Sequence, residues 1–153
     1  MPVQKLKDYL DANKVKYVSI THSQSFTAQE IAASAHIPGR EMAKTVMIKV
    51  DGKMTMAVLP ASARVDFERL KESVGARSVE LAPEREFREM FPGCEPGAMP
   101  PFGNLYGMDV YASPQLGEDR EIAFNAGSYT ELIRLTYADY ERLVKPKVVA
   151  FAR

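Results

Sequence analysis

The chain is 153 residues long, 46% hydrophobic and 26% charged, which is one domain's worth of a globular protein with a real core and excludes a disordered tail or a disulfide-stapled miniprotein. Twenty Lys and Arg balance twenty Asp and Glu, so the basic excess of an autonomous DNA binder is missing and no DNA partner is expected. Cys94 is the one cysteine and there are two histidines, which rules out an internal disulfide and leads us to expect neither metal nor cofactor. No apolar run reaches the length of a membrane span, and the start MPVQKLKDYL lacks a signal-peptide pattern. The expectation is a cytoplasmic protein without a membrane partner, with residues 1–153 forming a single domain.

In chain order, PVQKLKDYLDANK places Val3, Leu6 and Leu10 on one helical face. An extended piece, VKYVSI, follows. Thr27 and Glu30 have the spacing of a capping box, with Phe26 and Ile31 placed as a hydrophobic staple. They predict a helix over AQEIAASAH that stops before Pro38-Gly39. The runs KTVMIKV and KMTMAVL are joined by Asp51-Gly52, a dipeptide suited to a tight turn with positive φ, and so predict a β-hairpin. Asp66 caps a helix over FERLKESV that Gly75 ends, and SVEL reads as a strand. Pro83 stands at the first position of a helix over EREFREMF. Strands are predicted at GMDVYA, EIAFNA and LIRLT. Thr136 caps a helix over YADYERLV that Pro146 ends, and KVVAFA returns as an edge strand. Helices and strands do not alternate regularly, which predicts an α+β domain with a mostly antiparallel or mixed sheet.

Three places could carry chemistry. The stretch from Phe91 to Gly107 holds four of the ten prolines and four of the nine glycines, and no Lys or Arg occurs between Arg88 and Arg120. Such a stiffened loop either walls a small-molecule pocket or is simply a tight connection. Lys44 opens an apolar strand, where its ammonium either snorkels to solvent or points into a cleft to hold a carbonyl oxygen or phosphate. Asn125-Ala126-Gly127-Ser128-Tyr129 ends a strand, where amides beside Gly127 either bind an oxygen or form a plain bulge. Met42, Met47, Met54, Met56 and Met99 either line an adaptable pocket or fill the core. His22 and His36 lack metal-ligand spacing, Cys94 has no histidine beside it, and Ser62 and Ser113 lie outside any G-x-S-x-G. Neither G-x-G-x-x-G nor a P-loop is present.

The motifs Thr27-Ala28-Gln29-Glu30, Ala43-Lys44-Thr45-Val46 and Val58-Leu59-Pro60-Ala61 resemble those of the YbaK/aminoacyl-tRNA deacylase domain. So do Glu95-Pro96-Gly97-Ala98-Met99-Pro100-Pro101-Phe102-Gly103 and Phe124-Asn125-Ala126-Gly127-Ser128. The resemblance runs from about His22 to Pro146 and extends to the editing domain of bacterial prolyl-tRNA synthetases. It implies a curved mixed sheet, partly barrel-like, flanked by helices. It also implies metal-independent hydrolysis, in trans, of the ester on a mischarged tRNA carrying a small amino acid.

Within that resemblance Lys44 matches the family's functional lysine, with an electrostatic role. Gly97 to Pro101 matches the G-x-x-x-P loop at the aminoacyl pocket. The substrate-binding set is then His22, Gly97, Ala98, Met99, Pro100, Pro101, Phe102, Gly103, Asn125, Ala126, Gly127, Ser128 and Tyr129, with backbone groups near Gly97 and Gly127 fixing the ester. The implied partners are the 3′ aminoacyl end of tRNA and, as a second candidate, an aminoacyl-tRNA synthetase. Lys5, Lys7, Lys14, Lys16, Arg142, Lys145 and Lys147 could supply a local basic patch for it. Relatives carry histidine where this chain has Tyr129, and a tyrosine is a poor general base near neutral pH. The competing reading is therefore a non-catalytic module that keeps the pocket for an aminoacyl-adenosine or a small metabolite.

Overall fold

The computed structural model describes residues 2–21, Ile37 and residues 40–153. The helix predicted over AQEIAASAH, its capping box, and both His22 and His36 lie outside the described residues. Helix α1 (Pro2–Ala12) buries Leu6 and Leu10 completely. It stops short of the predicted end because Lys14 turns left-handed at φ 57°, while the Val15 amide donates to Leu10 O at 3.0 Å.

The larger sheet grows from the predicted hairpin. Strands β2 (Ala43–Val50) and β3 (Lys53–Pro60) pair along their whole length, and Asp51 and Gly52 both take positive φ, 51° and 81°. Asp51 also accepts from the amides of Arg77 and Ser78 at 2.7 and 2.9 Å, which docks β4 (Val79–Leu81) beside β2. Strand β5 (Val110–Ala112) lies parallel to β3, and β8 (Lys147–Val148) lies parallel to β5. The smaller sheet is antiparallel and comprises β1 (Val18–Thr21), β6 (Glu121–Asn125) and β7 (Glu131–Thr136), with β7 in the middle. A single parallel bridge between Met42 and Ala123 joins the two sheets, and among the described residues the strands close no barrel.

Local signals set most helix ends. Asp66 accepts from the Arg69 amide at the start of α2 (Phe67–Val74), and Gly75 ends it at φ 68°. Thr136 accepts from the Asp139 amide to start α4 (Tyr137–Val144). Two expectations need correction. Helix α3 (Glu84–Phe87) is one turn long, because Pro83 is the extended cap residue and Phe87, turning its ring inward, leads into a 3₁₀ turn over Arg88–Met90. Of KVVAFA only two residues pair as a strand, since Phe151 is drawn completely into the core and Ala152 bridges to Val65 instead.

Phe102 lies fully buried at the centre of the main core, with the rings of Tyr9, Phe124 and Tyr140 at 6.2, 5.5 and 5.4 Å. Each such aromatic pair contributes about 0.5–1.5 kcal/mol beyond its buried area. The Tyr140 hydroxyl donates to Pro101 O at 2.8 Å, so the core also fixes the end of the proline-rich loop. Met47, Met56 and Met99 belong to this core, whereas Met42 sits in a smaller cluster at the junction of the sheets.

Candidate active site

The two glycine-bearing segments singled out in the sequence meet in space. The Glu95 amide donates to Gly127 O and the Gly127 amide to Ala98 O, both at 2.9 Å. The Tyr129 amide donates to Glu95 Oε2 at 2.6 Å, and the Tyr129 hydroxyl donates to Pro96 O. Gly97 and Gly127 take φ of 87° and 104°, a region that only glycine occupies cheaply. A Cβ on Gly97 would stand 2.6 Å from the Tyr129 hydroxyl, so glycine here is also what seats the tyrosine. The Gly127 amide is committed to Ala98 O and the Gly97 amide to Met99 Sδ at 3.2 Å, so these two glycines shape the wall between the segments.

Lys44 stands where the two sheets part. Alternation along the strand puts it on the same side as Met42. The buried cluster of Met42 includes Ala61, Ala123 and Leu132, with Tyr129 packed at its edge. The half-buried Lys44 ammonium makes one long bond, to Ala61 O at 3.4 Å. Burial, and secondarily the charge of Arg64, lowers its pKa below that of an ordinary lysine. Among the described residues no carboxylate pairs with it. An ammonium taken partly out of water and left without a counterion is suited to hold an anion.

Asn125 reaches the same place from the other sheet. The parallel bridge of Met42 with Ala123 lies two residues before Lys44 on one strand and two before Asn125 on the other. Asn125 also opposes Leu132, a member of the same cluster. The residue is 6% exposed, and its buried Oδ1 has no hydrogen-bond partner among the described residues. Buried carboxamide oxygens are rarely left so.

The other predicted residues divide by depth. Ser128 and Tyr129 are half-buried, Gly97 is exposed, and Ala98, Met99, Pro100, Pro101 and Ala126 are buried behind them. Phe102 and Gly103 lie in the core, where a Cβ on Gly103 would meet Val110 Cγ2 at 2.6 Å. His22 lies outside the described residues. Burial raises the pKa of the Tyr129 hydroxyl, with Glu95 adding to the effect, so it acts as a hydrogen-bond donor and not a base. Burial likewise raises Cys94, which keeps its thiol protonated. The terminal cations are largely engaged locally, Lys7 with Glu131 at 2.9 Å, Arg142 with Asp139 at 3.2 Å and Lys5 over the Tyr106 ring. Arg64 and Glu95 had no local sequence signal, because each acts on a residue distant in the chain.

A cleft of about 720 Å³ lies between the 3₁₀ segment Pro114–Glu118 and α4. Neither Lys44 nor Asn125 lines it, and volume alone does not make it the site.

A model of the aminoacyl-tRNA editing domain matches residues 22–143. The chain belongs to that family. It is 30% identical to the multifunctional Ser/Thr-tRNA deacylase ProXp-y of Escherichia coli K12, across 98% of this chain and 92% of the relative. It is 29% identical to a proline–tRNA ligase of Bacillus mycoides over 55% of this chain, a span that is 15% of the ligase. Its fold matches a solved structure assigned as a trans-editing enzyme for prolyl tRNA synthetase, with TM-score 0.83, 20% identity, and 99% and 97% of the two chains covered. The reaction that goes with an editing domain is hydrolysis of the ester between an amino acid and tRNA. Among the described residues no helix is long and apolar enough to cross a membrane, and no cluster of three or more His, Cys, Asp or Glu could hold a metal.

Proposed function

We propose that this chain, as one deacylase domain in the cytoplasm, clears mischarged tRNA in trans, and that the ester it cleaves carries a small amino acid. The reading rests above all on Lys44, a half-buried ammonium without a described counterion at the junction of the two sheets. An aminoacyl ester is already activated, so water placed against its carbonyl suffices without a protein nucleophile. In this mechanism the Lys44 ammonium holds the terminal phosphate or the oxyanion that develops as water attacks. The loop from Gly97 to Pro101, pinned by Gly127 and Tyr140, supplies a rigid wall against which the amino acid rests.

A synthetase tether is part of the proposal, because the net charge is zero and most terminal cations are engaged, leaving little general attraction for tRNA. The competing reading, a module that binds an aminoacyl-adenosine without cleaving it, draws on Tyr129, whose hydroxyl is donated to Pro96 O and whose raised pKa makes it no base. One experiment separates them. A panel of tRNAs mischarged with Ala, Ser, Cys and Thr is incubated with wild type and with Lys44→Ala. Hydrolysis that disappears in the variant supports the deacylase and its lysine. Tight binding of a non-hydrolysable aminoacyl-adenosine without turnover of any pair supports the module.

A further inference from the structure

We propose that Asn125 reads the amino-acid side chain, its carboxamide oxygen accepting a hydrogen bond from the hydroxyl of a seryl or threonyl ester. This rests on the deacylase reading above and adds the residue that sets its substrate class. Three observations carry it. First, Asn125 Oδ1 is a buried acceptor with no partner among the described residues, in a residue only 6% exposed. Leaving such a group unmet is costly unless a ligand supplies the donor. Secondly, the Met42–Ala123 bridge brings β2 and β6 together two residues before Lys44 on one strand and Asn125 on the other. Thirdly, the candidate residues differ in exposure. Gly97 is exposed, Lys44, Ser128 and Tyr129 are half-buried, and Asn125 is deepest.

A tRNA end arrives from solvent, so its phosphate and ribose meet the outer groups and the amino-acid side chain meets the innermost one. Leu132, the partner of Asn125 across the strand pair, belongs to an apolar cluster with Met42, Ala61 and Ala123. A short side chain with a single hydroxyl satisfies both the apolar wall and the waiting oxygen. An alanyl ester fills the wall and leaves the oxygen unmet. No hydrogen bond holds that oxygen, and the last torsion of an asparagine is soft, so the amide turns toward an incoming hydroxyl at little cost.

The test charges one tRNA separately with serine, threonine and alanine, and measures kcat/KM for wild type, Asn125→Ala and Asn125→Leu, alongside thermal unfolding. Wild type should cleave the seryl and threonyl esters at least about tenfold faster than the alanyl ester. The variants should lose about 10- to 100-fold on the hydroxylated esters and clearly less on the alanyl ester. Asn125→Leu should melt no lower than wild type, since it removes an unmet acceptor and keeps the volume. An equal fall on all three esters, or an unchanged preference, overturns the role of Asn125 and leaves the deacylase reading standing. A wild type that cleaves none of the three overturns the deacylase reading itself. If both variants fail to fold, the wild-type preference decides, and alanyl cleavage as fast as seryl cleavage overturns the assignment.

Discussion

The cleft beside α4 and the seam where β2 and β6 part differ in how they use their polar groups. In the cleft, Asp119 meets Arg40 at 3.3 Å, Thr136 is spent on capping Asp139, and Tyr137 shares a hydrogen bond with Glu141. At the seam, among the described residues, Lys44 makes one bond of 3.4 Å and Asn125 Oδ1 makes none. Polar groups that answer one another are a consequence of packing elements side by side. Polar groups held out of water and left unanswered persist only where something else answers them. The seam is where this protein keeps unfinished chemistry.

The comparison can be broken from its foundation. Phe102→Ala removes the ring under the proline-rich loop and should cost about 3–5 kcal/mol of stability, measured by urea denaturation. A loss below about 1 kcal/mol would mean that the wall of the seam does not rest on the aromatic core. Next in size, Lys44→Ala should lower deacylation roughly 100-fold, the scale of losing one preorganised electrostatic group, with unfolding unchanged. Equal activity in that variant would return the cleft to contention. Tyr140→Phe strips the donor from Pro101 O in a buried setting and should cost about 1–3 kcal/mol, with a matching fall in melting temperature.

The pH profile sharpens the contrast further. Burial lowers the Lys44 pKa, so its ammonium is lost at lower pH than that of a free lysine. Background-corrected kcat/KM should therefore fall on the alkaline side earlier than an ordinary lysine would dictate, and Lys44→Arg should move that limb upward. A profile whose alkaline limb is the same in both proteins would detach the limb from Lys44. Smallest of all, Glu141→Ala alters the cleft and should leave deacylation within about twofold of wild type, the insensitivity of a surface change away from the chemistry. A tenfold loss there would show that the cleft takes part.

How much was legible depended on the reach of each interaction. Asp51-Gly52, Asp66 with Gly75, and Thr136 each act on amides within a few residues, and the hairpin and both helix starts fall where the sequence puts them. Pro83 and KVVAFA misled because Phe87 and Phe151 are pulled inward by partners far along the chain. At the site, Gly97 and Gly127 announce themselves as glycines needing positive φ, but nothing local says that their segments bond to each other. Phe102 and Gly103 read as pocket residues from the motif they sit in, whereas the structure places them in the core.

By itself the sequence determined turns, caps and apolar faces, and through its motifs the family, because these depend on neighbours in the chain and on residue types in order. Only the tertiary structure decided that the strands carrying Lys44 and Asn125 meet, since that rests on a bridge between residues 42 and 123. It also decided which amides are already committed and which oxygen is left waiting, for a hydrogen bond between distant segments exists only once both are in place.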